Sequence, residues 1–362
     1  MDDLANTGCG KERGLMKAVM KVKEGIGVEI KNIPRPTLPK NYPNGEVIVK
    51  VGACGICGTD LGVYDWTKWT AQYMQIPRVI GHEITGTIVE VGEQCGNWKV
   101  GDRIVADTYL GCGKCYFCHI GKFNLCENKA SLGLKIDGGM AEYVAIPSIN
   151  LFHLPANVSF TVGAAIEPFG VAAHAFEESG FKYADHVLIL GCGPIGLGML
   201  MLAKAAAASK VFITGLDLDK IRLEKATELG ADAIFNISND DPRPVVMKET
   251  KGRGVDIVFV CVGSEGVLAQ AASMVRPGGT VIALGLFHGE STFDPNIMVE
   301  RELTFRGSFR RSPETWYRIL SLIGNNIISL DALISHVLPI DEVERAFQLL
   351  KSGEGIKVVI AP

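Results

Sequence analysis

The chain has 362 residues, 47% of them hydrophobic and 21% charged, which predicts two globular domains and excludes a disordered chain. A net charge of −4 offers no electrostatic footprint for DNA, RNA or an anionic membrane, so neither nucleic acid nor a membrane is an expected partner. The unusual counts are 42 glycines, which predict many tight turns, and 10 cysteines, enough thiols to hold a metal.

In chain order, the N-terminal MDDLANTGCGKERGLM is polar and has no apolar segment of the kind a secretory signal needs; residues 1–15 read as a loose extension. Between Met16 and Val162, short β-like runs such as Glu46–Val51, Thr85–Val91 and Arg103–Ala106 are separated by Gly, Pro and Asn, predicting an irregular β-rich domain. From Asp185 the apolar runs HVLIL, KVFITGLD, ADAIF, VDIVFVCVG and GGTVIALG alternate with helical stretches at Pro194–Ala208 and Lys220–Leu229. Strands that are apolar throughout, with helices between them, are what a parallel sheet buried on both faces requires. The tail reads as helices at Glu314–Ile323 and Asp341–Lys351 and a closing strand, Lys357–Ile360. Val187–Ala203 is uncharged but broken by four glycines and a proline, and is short for a bilayer; it reads as strand, turn and helix. A cytoplasmic, reducing location is expected, in which close-spaced cysteines point to metal before disulfide.

Gly191-Cys-Gly193-Pro-Ile-Gly196 follows one apolar run and opens a helical one, the order a dinucleotide-binding turn requires. The first glycine permits the turn, the second lets a pyrophosphate approach the backbone, and the third lets helix and strand pack closely. Asp217, twenty-one positions after Gly196 and at the end of the next strand, is placed to hold the adenosine ribose hydroxyls and repel a 2′-phosphate, which favours NAD over NADP. Asp219 competes for that role but reads better as the N-cap of the helix that Gly230 closes.

Cys112, Cys115, Cys118 and Cys126 fall within fifteen residues, a spacing that lets four thiolates wrap one tetrahedral structural Zn²⁺. A second, dispersed set is Cys57 in GICGTD, His82-Glu83 after Gly81, and Glu167 in AIEPFG. Thiolate, imidazole and carboxylate together suit a catalytic zinc with an open position. A single His after Gly is weak by itself; the dinucleotide turn, which calls for a partner chemistry, strengthens it. Cys54 forms CxxC with Cys57 and reads as a packed small side chain rather than a redox partner.

Taken together, CGICGTD, GHEITGTIVEVG, GDRI, the four-cysteine segment, IEPFGVAAHA, GCGPIGL and RPGG make the chain resemble the zinc-dependent medium-chain alcohol dehydrogenases over residues 16–362. Within them it resembles the branch of polyol (sorbitol-type) and L-threonine dehydrogenases. The resemblance implies an α/β architecture: a doubly wound Rossmann domain at 165–306, and a β-rich GroES-like catalytic domain formed by 1–164 and 307–362, with a structural-zinc lobe near 108–130. It implies a homo-oligomer, tetramer or dimer, acting on a small-molecule substrate with NAD and two zinc ions per chain. Cys57, His82 and Glu83 would hold the catalytic zinc, with Glu167 binding it directly or through water. Thr59 would take the substrate proton, Asp60 would orient His82, and Gly191, Gly193, Ile195, Gly196, Asp217 and Arg222 would contact the cofactor.

Three departures bear on substrate. The family's relay histidine, five residues after the zinc cysteine, is Gly62 here. Tyr64-Asp-Trp66-Thr-Lys-Trp69 and Glu314-Thr-Trp316-Tyr317 resemble the threonine branch, although Glu167-Pro-Phe-Gly-Val-Ala-Ala-His174 departs from its usual sequence. Ser308-Phe-Arg310 resembles the polyol branch, where the arginine contacts substrate hydroxyls. The reading that results is oxidation of a secondary alcohol in a small polyol to a ketone, with L-threonine 3-dehydrogenase chemistry as the alternative. Trp66, Trp69 and the isolated His119, His153, His186, His288 and His336 read as structural or solvated. A zinc-stabilised nucleotide-binding protein without catalysis and a zinc-free quinone reductase are rivals that the intact Cys57/His82/Glu83 set disfavours.

Overall fold

The computed structural model describes residues 14–38, 45–287 and 289–362; residues 1–13 of the expected N-terminal extension and His288 lie outside them. Leu15 is already the first residue of a strand, Leu15–Lys21, so the extension ends before it.

The second half of the chain forms six parallel strands in the order Ala233–Asn236, Lys210–Gly215, His186–Leu190, Val255–Val260, Val275–Ala283 and Thr304–Gly307. His186–Leu190 lies at the centre, where the strand order reverses, and the glycine-rich turn leaves its carboxyl end. This is the crevice in which an open α/β sheet binds ligand. Leu188, Leu190, Phe212, Val258 and Val260 face one apolar core and Val187, Ile189, Val211, Ile213 and Phe259 the other, which is why these strands read as uninterrupted apolar runs.

The first half folds into mostly antiparallel sheets. Glu46–Gly55 lies between Glu83–Val91 and the C-terminal strand Lys357–Ala361, which returns from the far end of the chain to pair Val359 with Gly55 and Ile360 with Cys54. Both ends of the sequence therefore build one domain. Three sequence expectations are adjusted. Glu46–Val51 continues to Gly55, the helix expected to reach Ala208 ends at Ala205, and Asp341 lies in a 3-10 turn before the helix Val343–Lys351. Thr304–Gly307 is the last strand of the parallel sheet, and the helix Pro313–Gly324 puts Trp316, Ile319 and Ile323 into the core shared with Ile166–Glu177.

Candidate active site and metal centres

The antiparallel register sets Gly55 opposite Glu83, and a side chain at Gly55 would run into the Glu83 carboxylate. Two residues beyond Gly55, Cys57 occupies the N-cap position of the helix Gly58–Asp65. Gly81 precedes His82 with φ +88°, and a Cβ there would meet Met140 and the Cys54 sulfur. These constraints bring the Cys57 sulfur, a His82 ring nitrogen and a Glu83 oxygen within 4.8 Å of one another. Asp60 accepts the Cys57 backbone N–H at 2.9 Å and sets its other oxygen 3.7 Å from His82 Nδ1, which orients both groups. Burial alone would lower the His82 pKa; Asp60 and Cys57 outweigh it and hold the imidazole well above its ordinary value. The Thr59 hydroxyl lies 4.0 Å from the Cys57 sulfur. Cys54 is fully buried, with its thiol directed at the Gly55 carbonyl.

Glu167 stands outside this donor group. Its Oε1 accepts from the Thr108 hydroxyl at 2.5 Å and from Arg311 Nη2 at 2.7 Å. The same Arg311 nitrogen lies 2.7 Å from Asp107, whose second oxygen accepts the Trp316 indole N–H. Arg311, which the sequence reading did not single out, is thus the arginine that reaches the expected zinc-side carboxylate. Arg310 stacks on Tyr109 and Phe309 instead. The sequence reading missed Asp107, Thr108, Arg311 and Lys357. A usable signal existed for the last: a lysine heading the otherwise apolar strand KVVIA has to be paired if it is buried.

Cys112, Cys115, Cys118 and Cys126 also lie with their sulfurs within 4.8 Å of one another. Cys115 and Cys126 are 3.8 Å apart, and bonds of about 2.3 Å to a tetrahedral zinc give a sulfur–sulfur edge of roughly 3.8 Å. The Lys114 backbone N–H is the main cause holding the Cys112 thiol down to about 6. Both donor sets fit zinc in ligand type and spacing.

The glycine turn is built as its motif requires. Gly191 has φ +105°, Gly193 caps the helix Pro194–Ala205 with Pro194 in its first turn, and a Cβ at Gly196 would collide with the Gly191 carbonyl. Ile195 lies in that first turn. Asp217 follows the strand Lys210–Gly215 and accepts from Asn236 and Asn239 at 2.6 and 3.0 Å. Asp219 occupies the N-cap position of the helix Lys220–Glu228 but does not cap it. Its carboxylate turns back to the Leu216 N–H and to Arg222. Arg222 is spent on Asp219 and on the Gly355 carbonyl, which ties the two domains together. Trp66 has its ring under Lys21 and Trp69 lies tilted against Tyr73; both pack against the β-domain core, consistent with structural roles.

Residues 43–156 match the alcohol dehydrogenase GroES-like domain, and residues 194–325 match the zinc-binding dehydrogenase domain. The L-threonine 3-dehydrogenase of Bacillus subtilis is 36% identical over 97% of this chain and 100% of its own length. Among solved structures, the 2R,3R-butanediol dehydrogenase of Bacillus subtilis superposes with TM-score 0.85 at 33% identity, covering 96% of this chain and 99% of that one. A zinc-binding dehydrogenase of Sinorhizobium meliloti 1021, bound to NADP, superposes with TM-score 0.86 at 32% identity, with the same coverage. With one mixed-ligand and one four-thiol donor set that fit a metal, a dinucleotide turn and relatives matching end to end, the chain belongs to the zinc-dependent medium-chain alcohol dehydrogenases and is an oxidoreductase of secondary alcohols.

Proposed function

We propose that the chain oxidises a secondary alcohol of a small polyol or related polyhydroxy compound to a ketone, with NAD as acceptor. The observation that carries this reading is the Cys57–His82–Glu83 donor set with the Thr59 hydroxyl beside it, in a chain that also builds a dinucleotide turn. Cys57, His82 and Glu83 would hold a catalytic zinc, and the four cysteines a structural one. The metal, when bound, acts as a Lewis acid that makes a coordinated hydroxyl more acidic. A bound nicotinamide would supply the hydride acceptor.

The protein's own groups do the rest. Thr59 Oγ accepts the substrate proton. Asp60 holds His82 and the Cys57 backbone in orientation. At Gly62, where the family's relay histidine is missing, a Cβ would lie 3.5 Å from the hydroxyls of both Thr67 and Thr70. These hydroxyls, 3.0 Å apart, are the groups nearest to where the missing side chain would begin, and the next step of the relay is placed on them. Gly191, Gly193, Ile195 and Gly196 would receive the pyrophosphate and Asp217 the adenosine ribose. Arg310 would face the substrate. The domain limits expected from the sequence, a cytoplasmic location and a tetramer or dimer belong to the same reading. No helix among the described residues is long and apolar enough to cross a membrane.

Oxidation of L-threonine is the second reading, favoured by the 36% identity to the Bacillus enzyme. Initial rates with alditols, inositols, 2,3-butanediol and L-threonine separate the two. A polyhydroxy compound should exceed L-threonine in kcat/KM; L-threonine as the best substrate overturns the first reading.

A further inference from the structure

The segment 308–311 carries buried hydrogen-bonding groups that the protein leaves unused. Ser308 Oγ, Arg310 Nε and Nη1, and Arg311 Nε and Nη1 are shut from solvent and have no hydrogen-bond partner among the described residues. Natural proteins rarely leave such groups unpaired, and they concentrate where a ligand completes the set. Arg310 is also held at φ +63°, an unfavourable backbone state for a side-chain-bearing residue, of a kind that clusters at ligand sites. Its guanidinium lies over the Tyr109 and Phe309 rings. Tyr109 follows Thr108, whose hydroxyl bonds Glu167 and lies 3.3 Å from the His82 carbonyl, and Arg311 donates to the same Glu167 oxygen. The segment therefore borders the catalytic donor set.

The charges here do not balance. Asp107 and Glu167 are both spent on Arg311. Glu83 is spent on Lys357, and Asp60 faces His82. Arg310 has no carboxylate within ion-pair distance among the described residues, nor has the exposed Lys129, which lies 5.4 Å over the Phe309 ring. Burial brings the Arg310 pKa down to about 10, and Lys129 is lowered by burial and by Arg310. For Arg310, a largely desolvated cation without a counter-ion is costly, and an anion supplied with the substrate relieves it. Among the described residues, Asp60, Glu83, Asp107 and Glu167 are each already paired, so none of these four is free to receive an ammonium group.

We infer that Arg310 and Lys129, with Ser308, receive an anionic group of the substrate, a carboxylate or a phosphate at the end of a polyhydroxy chain away from the reacting carbon. This rests on the proposed oxidation of a secondary alcohol and narrows its substrate to aldonate-like acids or polyol phosphates.

The test has a kinetic arm and a binding arm. Initial rates are compared for a six-carbon alditol, the aldonate of the same chain, the alditol 6-phosphate and L-threonine. Titration calorimetry then measures malonate and inorganic phosphate against chloride at matched ionic strength. One anionic polyol should exceed the neutral alditol at least tenfold in kcat/KM, and the corresponding anion should bind saturably. Arg310→Gln should cut that preference at least tenfold, and Lys129→Gln, at an exposed position that folding does not depend on, should cut it several-fold. If the neutral alditol matches both anionic polyols and neither anion binds, the inference fails while the oxidation reading stands. L-threonine as the best substrate also overturns it. If no alcohol is oxidised but an anion binds and Arg310→Gln abolishes binding, the anion site stands and the oxidation reading falls.

Discussion

Lys357 places its ammonium 2.7 and 2.8 Å from the two carboxylate oxygens of Glu83, and neither side chain reaches solvent. The pair joins residues 274 positions apart and fastens the returning C-terminal strand to the candidate zinc site. A carboxylate has about four lone-pair positions, so Glu83 can accept from lysine and still offer an oxygen to a metal. Lys357 also donates to the Ile56 carbonyl at 3.0 Å, one residue before Cys57. The C-terminal strand thus fixes two of the three donors in place.

Lys357→Met should therefore be severely destabilising. It leaves a buried carboxylate without its cation, a loss on the order of 3–5 kcal/mol in a region that cannot rehydrate. Lys357→Met combined with Glu83→Gln removes both charges and should recover part of that loss. Urea unfolding of the two variants checks this. A single variant as stable as wild type would show that Glu83 has another counter-charge.

Much of this site is legible in the sequence because its determinants are local. The four cysteines lie within one loop, the glycine turn is six consecutive residues, and Arg103–Ala106 matches its expected limits. What was not legible depends on side chains meeting across long separations. Asp107, Glu167, Arg311 and Trp316 form one network from three parts of the chain, and no spacing rule connects them. That Arg311, beside the expected substrate residue Arg310, holds Glu167 was likewise beyond reach: adjacent residues of one type differ only in which way the backbone turns, and at Arg310 it takes a left-handed state. Asp219 misled for a similar reason, since its position predicts a cap while its partner, Arg222, draws the carboxylate away.

Metal content should be two zinc ions per chain, differing in how they leave. The mixed-ligand set retains an open position for a chelator, whereas four thiolates close their metal off. Dialysis against a chelator should abolish turnover after loss of one equivalent, with the thermal midpoint falling only when the second goes. Elemental analysis finding a single zinc in fully active protein would contradict this.

Asp217→Ala should weaken NAD far more than NADP, because it removes a ribose acceptor and a charge that opposes a 2′-phosphate. In this chain the carboxylate is already bonded to Asn236 and Asn239, which hold it in place. Comparison of kcat/KM for the two coenzymes in wild type and variant reads the effect. A wild type that uses both equally would remove Asp217 from the cofactor site, and the NADP-bound relative makes that measurement the first to perform.

Asp256 gives a prediction about acid stability. Its carboxylate joins three neighbouring strands, accepting Arg276 Nε at 2.6 Å and the His186 backbone N–H at 2.8 Å. Burial pushes its pKa up, but Arg276 and His186 outweigh that and hold it below 3.8. A carboxyl whose folded pKa is depressed stabilises the protein fully above its unfolded value, and this is lost as pH falls through the lower folded value. Asp256→Asn should cost about 1 kcal/mol at neutral pH, the pair being partly exposed. The gap to wild type should shrink below pH 3.8. An equal gap at neutral and acid pH would mean that the charge contributes nothing.

Thr59→Val tests the proton path. Valine nearly preserves the volume and removes the only hydroxyl in the first turn of the helix that begins at Gly58, beside the Cys57 sulfur. If Thr59 Oγ receives the substrate proton, kcat should fall by about 10²-fold or more with zinc content unchanged. Thr67→Val, one step further along the path proposed at Gly62, should lower kcat less and shift the alkaline limb of its pH profile. The Thr67 hydroxyl also caps the next helix by accepting the Thr70 N–H, so thermal stability must be measured in parallel. Near-normal turnover in Thr59→Val would mean that the proton leaves directly to water, and Thr67 would then have no part in the reaction.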